Sequence, residues 1–233
     1  MAATPQNTGR IFAIGDVHGC IEELQALWAR LNPTPADRFI FLGDLVNRGP
    51  DSHAVVRFVR SLRNTRCLLG NHEQRLLQFR RSGEISLLKD YDWETLRGLD
   101  EEDWLFLENL DVSLEIPRLH TAFVHGGLLP AQPWHEQGPE IVCHIQAYDP
   151  RTGVWGRRKD LDDAASWQNH WEGPPFIICG HTPRPEVFRR PWSICIDTGC
   201  VYGGKLTAIE VETLEIIQQP AARNYAGKEL KDG

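Results

Sequence analysis

Apolar and polar positions alternate in regular blocks over the first part of the chain. Short apolar runs that end in glycine occur at residues 11–15 (IFAIG), 38–43 (RFIFLG) and 67–70 (CLLG). Runs of this kind are typical of strands that are buried on both faces. Residues 20–31 and 52–63 lie between these runs and repeat their apolar side chains at helical spacing. The pattern therefore predicts a parallel sheet with helices on its faces, and a third helix that starts near Glu73.

The pattern changes after the third predicted helix begins. Residues 84–111 are acidic and helical in pattern, and they predict a helical insertion beside the sheet. The runs VSLEIP (112–117) and LHTAFVHGG (119–127) predict an antiparallel strand pair. Residues 129–172 are rich in proline, glycine and tryptophan, which predicts a long loop over the site. The later runs FIICG, SICIDTG, LTAIEVE and LEIIQQ predict a second sheet, and residues 220–233 predict a frayed tail.

Composition restricts the possible classes of protein. The 233 residues are 41% hydrophobic, which predicts one α/β domain over residues 1–233 with a core at about 10–212. The formal charge of −7 argues against a nucleic-acid-binding or membrane-surface protein. No apolar stretch approaches the ~18–20 residues of a membrane span, and the N-terminal residues do not resemble a signal peptide. The six cysteines form no C-x-x-C pair, so we expect free thiols and a cytoplasmic location.

Polar side chains follow the carboxyl ends of the predicted strands. They are Asp16 and His18 in GDVHG, Asp44, Asn47 and Arg48 in GDLVNRG, Asn71, His72 and Glu73 in GNHE, His125 in VHGG, and His181 in CGHTP. Asp44 follows Asp16 by 28 residues (44 − 16), and Asn71 follows Asp44 by 27 (71 − 44), which is one strand–helix–strand unit each. Open α/β sheets place ligands at this edge. Carboxylate, amide oxygen and imidazole together are the ligands of borderline divalent metals, so the pattern predicts a metal centre.

These motifs, in this order and spacing, resemble those of the calcineurin-like metallophosphoesterases. Within that family they are similar to the phosphoprotein-phosphatase branch, which includes bacterial diadenosine tetraphosphate hydrolases and phage-type serine/threonine phosphatases. The resemblance extends from about Ile11 to Glu212. It implies an α/β fold in which two mixed β-sheets pack as a sandwich and are flanked by helices.

The resemblance also implies a role for each motif residue. Asp16, His18 and Asp44 would hold the first metal, and Asp44, Asn71, His125 and His181 the second, with Asp44 bridging. His72 would be the proton donor, and Arg48 would bind phosphate. The VWGRRK stretch resembles the family's W-x-R motif and nominates Arg157, with Arg158 as the alternative, while Asn71 and Tyr202 would contact substrate. Glu73 is expected to orient its neighbours from the start of the helix.

The implied chemistry is direct attack on phosphorus by a hydroxide that bridges two divalent metal ions. Mn²⁺ is the favoured metal, with Fe²⁺, Zn²⁺, Ni²⁺ and Co²⁺ as alternatives. The favoured substrates are small nucleotide anhydrides such as diadenosine tetraphosphate. The alternatives are a protein serine/threonine phosphatase and a binding scaffold without activity, and the oligomeric state is left open.

One residue departs from the pattern of the related protein phosphatases. They carry an aspartate in GDxVDRG that pairs with the proton-donating histidine, whereas this chain has Asn47, and the bacterial tetraphosphate hydrolases also lack the aspartate. Two interpretations remain open. Asn47 is a tolerated substitution without consequence, or it weakens acid assistance by His72 and thereby favours phosphoanhydrides and aryl phosphates over phosphoserine.

Overall fold

Strands and helices alternate three times before residue 83, as predicted. The structure is a computed structural model that describes residues 9–161 and 165–230. Its strands are β1 (Ile11–Ile14), β2 (Arg38–Phe41), β3 (Thr65–Cys67), β4 (Ser113–Ile116), β5 (Thr121–Val124), β6 (Ala147–Tyr148), β7 (Trp155–Gly156), β8 (Phe176–Cys179), β9 (Phe188–Arg190), β10 (Ser193–Cys195), β11 (Lys205–Glu210) and β12 (Ile216–Pro220). Its helices are α1 (Ile21–Leu31), α2 (Ser52–Ser61), α3 (Asn71–Ser82), α4 (Asp92–Gly98), α5 (Glu101–Glu108) and α6 (Pro139–Val142).

The first sheet has the strand order β12-β11-β1-β2-β3. Strands β1, β2 and β3 are parallel, and β11 pairs antiparallel with β1. The sequence pattern had assigned β11 and β12 to the second sheet, and that prediction was wrong. β11 instead completes the first sheet, because its apolar side chains are buried beside β1, where Ala13 faces Ile209.

The second sheet has the order β4-β5-β8-β10-β9 and is also mixed. The predicted antiparallel pair is confirmed, since β4 and β5 are antiparallel with Ser113 opposite Val124. Strands β5, β8 and β10 are parallel to one another. The carboxyl ends of β5 and β8 therefore lie at a common edge, where His125 and His181 follow.

The two sheets pack face to face around a shared apolar layer. Ile11, Ala13 and Ile40 of the first sheet lie in one buried cluster with Phe123 and Ile178 of the second. Alternate residues of β1, namely Phe12 and Ile14, point the other way and pack with side chains of helices α1, α2 and α3. This alternation explains why β1 is apolar at every position. The predicted sandwich of two mixed sheets flanked by helices is thus confirmed.

Three local predictions need correction. The third strand is Thr65–Cys67 rather than CLLG, because the next residues pair with the chain at Asp111: Leu68 forms an isolated bridge with Asp111, and the Leu69 N–H donates to the Asp111 carbonyl at 2.7 Å. The 129–172 segment is not a plain loop; it contains α6 and the β6–β7 hairpin, and its residues 162–164 lie outside the described residues.

The third correction concerns residues 220–233, which were predicted to form a frayed tail. Residues 221–230 are held against the body of the protein, and 231–233 lie outside the described part. The Ala221 N–H donates to the Gly204 carbonyl at 2.9 Å, and the Tyr225 N–H donates to the Val201 carbonyl at 2.9 Å. Within residues 9–161 and 165–230, none of the helices combines the length and apolar character needed to cross a bilayer.

Candidate metal centre

Strand register brings the predicted ligands of the first sheet to one edge. Ile14, Phe41 and Cys67 are aligned as neighbours on β1, β2 and β3. Asp16 and Asp44 follow the first two strands within three residues, and Asn71 opens α3 just after the third. The sandwich then places His125 and His181 of the second sheet against them. The Gly180 N–H donates to the His125 carbonyl at 2.8 Å, which joins these two strand ends.

Asp44 occupies the middle of the ligand set. Its Oδ2 lies 3.4 Å from His18 Nε2, and its Oδ1 lies 3.5 Å from His125 Nε2. Asn71 Oδ1 lies 3.2 Å from the same His125 nitrogen. One donor atom each of Asp44, His125 and His181 lies within 4.8 Å of the others. The carboxylate of Asp44 therefore faces one histidine with each oxygen, which is the geometry expected of a bridging ligand.

Each of the three histidines turns one ring nitrogen away from the cluster. His18 Nδ1 donates to the Val46 carbonyl at 2.9 Å, and His125 Nδ1 donates to the Leu42 carbonyl at 2.7 Å. His181 Nε2 lies 3.3 Å from the His144 carbonyl. A carbonyl can only accept, so the bonds of His18 and His125 fix a proton on Nδ1 and leave Nε2 with a free lone pair, whereas His181 Nε2 also lies 3.3 Å from the Gln146 amide nitrogen. Metal-binding histidines are typically oriented in this way.

The electrostatics of the cluster also fit divalent cations. Burial lowers the pKa of His18 and His181 well below the ordinary value and that of His125 to about 3, so these rings are neutral, as a metal ligand must be. Burial raises the pKa of Asp16 well above its usual range and that of Asp44 to about 6. Buried carboxyls beside neutral imidazoles are costly unless cations compensate them. The donor set thus fits two divalent ions.

A further carboxylate, Asp197, was not singled out from the sequence. It follows β10 in SICIDTG, is 5% exposed, and has a pKa raised to about 7, chiefly by burial. The charge of Asp197 raises the pKa of Asp16, and the charge of Asp44 raises the pKa of both, so the three carboxylates lie close to one another. The sequence does contain a signal for Asp197, because this residue follows a predicted strand and lies near Gly199, as the predicted ligands lie near glycines. The run was interpreted only as a strand.

Glu73 anchors the loop that carries Asp44. Its side chain is fully buried, and its carboxylate accepts hydrogen bonds from the N–H groups of Asp44 at 2.9 Å, Leu45 at 2.8 Å and Val46 at 3.1 Å. It also accepts from the Gly70 N–H at 3.1 Å. A carboxylate at the start of α3 thus fixes the loop after β2. This is the orienting role expected from the sequence.

Backbone strain is concentrated in the same place. Nine non-glycine residues of the described chain have positive φ, and five belong to this site: His18, Asp44, Asn47, Arg48 and His181. A left-handed backbone is uncommon for residues other than glycine, and Asn, Asp and His are the types that adopt it most readily. Strain that persists at a cluster of candidate ligands is typical of functional sites, where the surrounding structure holds it in place.

His72 is surrounded by groups that fix its orientation. Asn47 Nδ2 lies 2.9 Å from His72 Nδ1. Asn47 Nδ2 also donates to Asp92 Oδ1 at 2.8 Å. Arg75 pairs with both oxygens of Asp92, at 2.8 and 2.9 Å. The Tyr91 ring stacks on the imidazole with centroids 5.4 Å apart. One nitrogen of His72 also lies within 4.8 Å of donor atoms of His18 and Asp44, which places the ring at the edge of the ligand set.

A cleft of about 390 Å³ opens above the ligands. Arg48 lines it, with Nη1 2.9 Å from His18 Nε2. Arg157, Arg158 and Lys159 form one wall, and Tyr202 also lines the cleft. Arg157 is largely exposed and pairs with Asp160 at 2.6 Å. All the residues predicted for substrate contact therefore line one cleft, which includes both Arg157 and Arg158.

Comparison with known proteins agrees with this geometry. The sequence model of the family described as Calcineurin-like phosphoesterase matches residues 9–190. A symmetrical bis(5'-nucleosyl)-tetraphosphatase of Pseudomonas syringae pv. syringae (strain B728a) is 38% identical, over 88% of this chain and 90% of its own. The asymmetrical bis(5'-nucleosyl)-tetraphosphatase PrpE of Oceanobacillus iheyensis is 28% identical, over 96% of this chain and 97% of its own.

Similarity of fold extends over the same length. The crystal structure of a putative diadenosine tetraphosphatase superimposes with a TM-score of 0.82 at 29% identity, covering 94% of this chain and 96% of that one. The resemblance inferred from the motifs is thereby confirmed. This chain belongs to the calcineurin-like phosphoesterase family, whose members hydrolyse phosphate bonds at a dinuclear centre of divalent metal ions.

Proposed function

We propose that this protein hydrolyses dinucleoside polyphosphates such as diadenosine tetraphosphate, with Mn²⁺ as the favoured metal. The observation that carries the proposal is the cleft, which is lined both by the predicted metal ligands Asp44, Asn71 and His181 and by the basic row Arg157, Arg158 and Lys159. A polyphosphate chain presents a line of negative charge that such a row complements. The names of the two relatives support the same substrate class.

Six residues would hold the metals. Asp16, His18 and Asp44 would hold the first ion, and Asp44, Asn71, His125 and His181 the second. Two divalent ions in such a site lower the pKa of a bound water and neutralise charge on the phosphoryl oxygens. Arg48, and Arg157 at the exposed wall, would add guanidinium hydrogen bonds to the transferred phosphoryl group. Asp197 would add negative charge that favours metal binding.

His72 would donate a proton to the leaving oxygen, and its contacts support that role. The Asn47 amide nitrogen donates to Asp92, so its other N–H must point at His72 Nδ1. A flipped amide would turn its oxygen against the Asp92 carboxylate and is therefore disfavoured. His72 Nδ1 must then accept, and the proton of the neutral ring is held on Nε2. Asn47, Asp92 and Arg75 thus position a single donor nitrogen.

The alternatives from the sequence are less well supported. A binding scaffold would be expected to have lost ligands, whereas all six proposed ligand residues lie together. A protein serine/threonine phosphatase could use the same metal site, but it has no evident need of the basic wall. A cytoplasmic location also remains a prediction, supported by the six free and buried cysteines.

Turnover measured with added Mn²⁺ tests the proposed function. The substrates are diadenosine tetraphosphate, a nucleoside triphosphate, p-nitrophenyl phosphate and a phosphoserine peptide. We expect the highest kcat/KM for diadenosine tetraphosphate, and chromatography of its products will distinguish two ADP from AMP plus ATP. A higher kcat/KM for the phosphoserine peptide would instead identify a protein phosphatase.

The contact between Asn47 and Asp92 sharpens the question of selectivity. Asn47→Asp alone would place a second carboxylate beside Asp92, only 2.8 Å away, and should destabilise the fold. The exchange variant Asn47→Asp/Asp92→Asn keeps the charge and moves the carboxylate next to His72. There it can accept a hydrogen bond from Nδ1, which favours the doubly protonated and more acidic ring. We expect kcat/KM for phosphoserine to rise roughly tenfold relative to that for p-nitrophenyl phosphate, because an alkoxide leaving group needs more acid assistance.

Asp92→Asn alone is the control for the lost Arg75 contact. It should lower both kcat/KM values without changing their ratio in favour of phosphoserine. If the exchange variant leaves the ratio at the wild-type value, Asn47 does not set selectivity, and the protein-phosphatase alternative gains support.

A further inference from the structure

A second, smaller cavity adjoins the cleft, and three of its six lining residues are tyrosines. Its volume is about 150 Å³, and its walls are Arg48, Tyr91, Tyr202, Tyr225, Ala226 and Lys228. It shares Arg48 and Tyr202 with the cleft above the metal ligands. A molecule that places a phosphate over the metal ligands can therefore extend into this cavity without leaving the protein surface.

Three separate segments of the chain build this cavity. Tyr91 comes from the helical insertion, Tyr202 from the loop after β10, and Tyr225 from the C-terminal segment. The guanidinium carbon of Arg48 lies 5.5 Å from the centre of the Tyr91 ring and 5.7 Å from that of Tyr202. Flat aromatic faces next to a guanidinium favour a planar, uncharged ring system as ligand, through stacking and cation–π contacts.

The C-terminal wall is held firmly in place. The N–H groups of Tyr225 and Ala226 both donate to the Val201 carbonyl, at 2.9 and 3.1 Å. The Tyr225 hydroxyl donates to Glu23 Oε1 at 2.8 Å, and the Ala222 N–H donates to the same oxygen at 3.0 Å. Glu23 itself is 3% exposed. The Tyr225 ring is thus fixed before any ligand arrives, which lowers the entropy cost of stacking on it.

We propose that this cavity, formed by Tyr91, Tyr202 and Tyr225, binds a nucleobase of the substrate. The inference rests on the proposed function and adds the direction in which the substrate binds. One nucleoside lies on the tyrosine side of Arg48, and the remaining phosphates extend toward Arg157, Arg158 and Lys159. A cavity of about 150 Å³ accommodates one aromatic ring, and the open side leaves room for the second ring of a purine.

Tyr225 gives the sharpest test, because it lies on the far wall from the metal ligands. In Tyr225→Ala we expect kcat/KM for diadenosine tetraphosphate to fall about tenfold relative to kcat/KM for p-nitrophenyl phosphate, because stacking on one base contributes about a tenfold gain in affinity. The change should appear mainly in KM. Tyr225→Phe keeps the ring and removes only the hydroxyl that binds Glu23, so it should retain the wild-type ratio. Circular dichroism melting curves check that both variants are folded.

Binding measured by calorimetry gives a readout that does not depend on turnover. Wild-type protein should bind AMP about tenfold more tightly than ribose 5-phosphate, which lacks the base. Tyr225→Ala should lose most of this difference, and Tyr225→Phe should keep it. Equal affinities of the wild-type protein for the two ligands would overturn the proposal, as would an equal loss of base preference in Tyr225→Phe and Tyr225→Ala.

These outcomes are separable from the fate of the proposed function. A wild-type protein that turns over p-nitrophenyl phosphate but not diadenosine tetraphosphate would refute the proposed function. A wild-type protein that turns over diadenosine tetraphosphate, with an unchanged substrate ratio in Tyr225→Ala, would refute only the nucleobase site.

Discussion

Asp44→Asn should abolish turnover while leaving the protein folded. Asp44 presents one oxygen to His18 and the other to His125, so an amide would offer one neutral oxygen where a carboxylate bridges two ligand sets. Divalent ions supply several kcal/mol of transition-state stabilisation, and their loss corresponds to roughly a 10³-fold or larger fall in kcat. The fold should persist, because asparagine can still accept the hydrogen bond from the His72 N–H, which is 3.0 Å from Asp44 Oδ1.

Metal content and kinetics with p-nitrophenyl phosphate check this prediction together. Asp44→Asn should bind fewer equivalents of Mn²⁺ by atomic emission and show little activity. Asp37→Asn is a matched control, since Asp37 is also buried (3% exposed) but pairs with Arg10, outside the ligand set. It should lower the melting temperature and keep the bound metal. Near-wild-type turnover in Asp44→Asn would end the two-metal hypothesis.

Arg48→Ala should lower kcat by roughly 10² to 10³, as the loss of a preorganised oxyanion donor does. Arg48 lines the cleft and forms a part-buried contact with His18, so its charge would act on the phosphoryl group in surroundings less polar than bulk water. Arg157→Ala should lower kcat less, because its side chain is 62% exposed and already paired with Asp160. Kinetics with p-nitrophenyl phosphate at saturating Mn²⁺ will measure both effects.

Two further variants complete the arginine series. Arg151→Ala is the control, since this side chain is 87% exposed and lies outside the cleft, and its kcat should equal that of the wild type. Arg158→Ala tests the assignment of the W-x-R motif. If Arg158→Ala is strongly impaired and Arg157→Ala is not, the phosphate-binding arginine is one residue further along the chain.

Much of the predicted ligand set could be inferred from the sequence, because each residue lies close in sequence to the strand that positions it. Asp16, Asp44 and Asn71 each follow a short apolar run, and the run, the turn and the polar residue are neighbours in sequence. Parallel strands joined by helices must bring their carboxyl ends to one edge, so the one-unit spacing predicts proximity without coordinates. His125 and His181 follow the same rule in the second sheet. Their roles at the metals remain predictions that the variants above will test.

The remaining features depend on contacts between residues that are far apart in the chain. No local sequence pattern indicates which sheet β11 joins. The same is true of two side-chain hydrogen bonds, from Asn47 to Asp92 across 45 positions and from Tyr225 to Glu23 across 202 positions. A periodic pattern shows that a side chain will be buried, but it does not identify the partner that buries it. The sequence by itself therefore determined the strand ends, the polar residues that follow them and the family. Only tertiary packing decided the sheet order, the positioning of His72, and the tyrosine cavity beside the metal centre, because these follow from long-range pairings selected by complementary shape and hydrogen bonding.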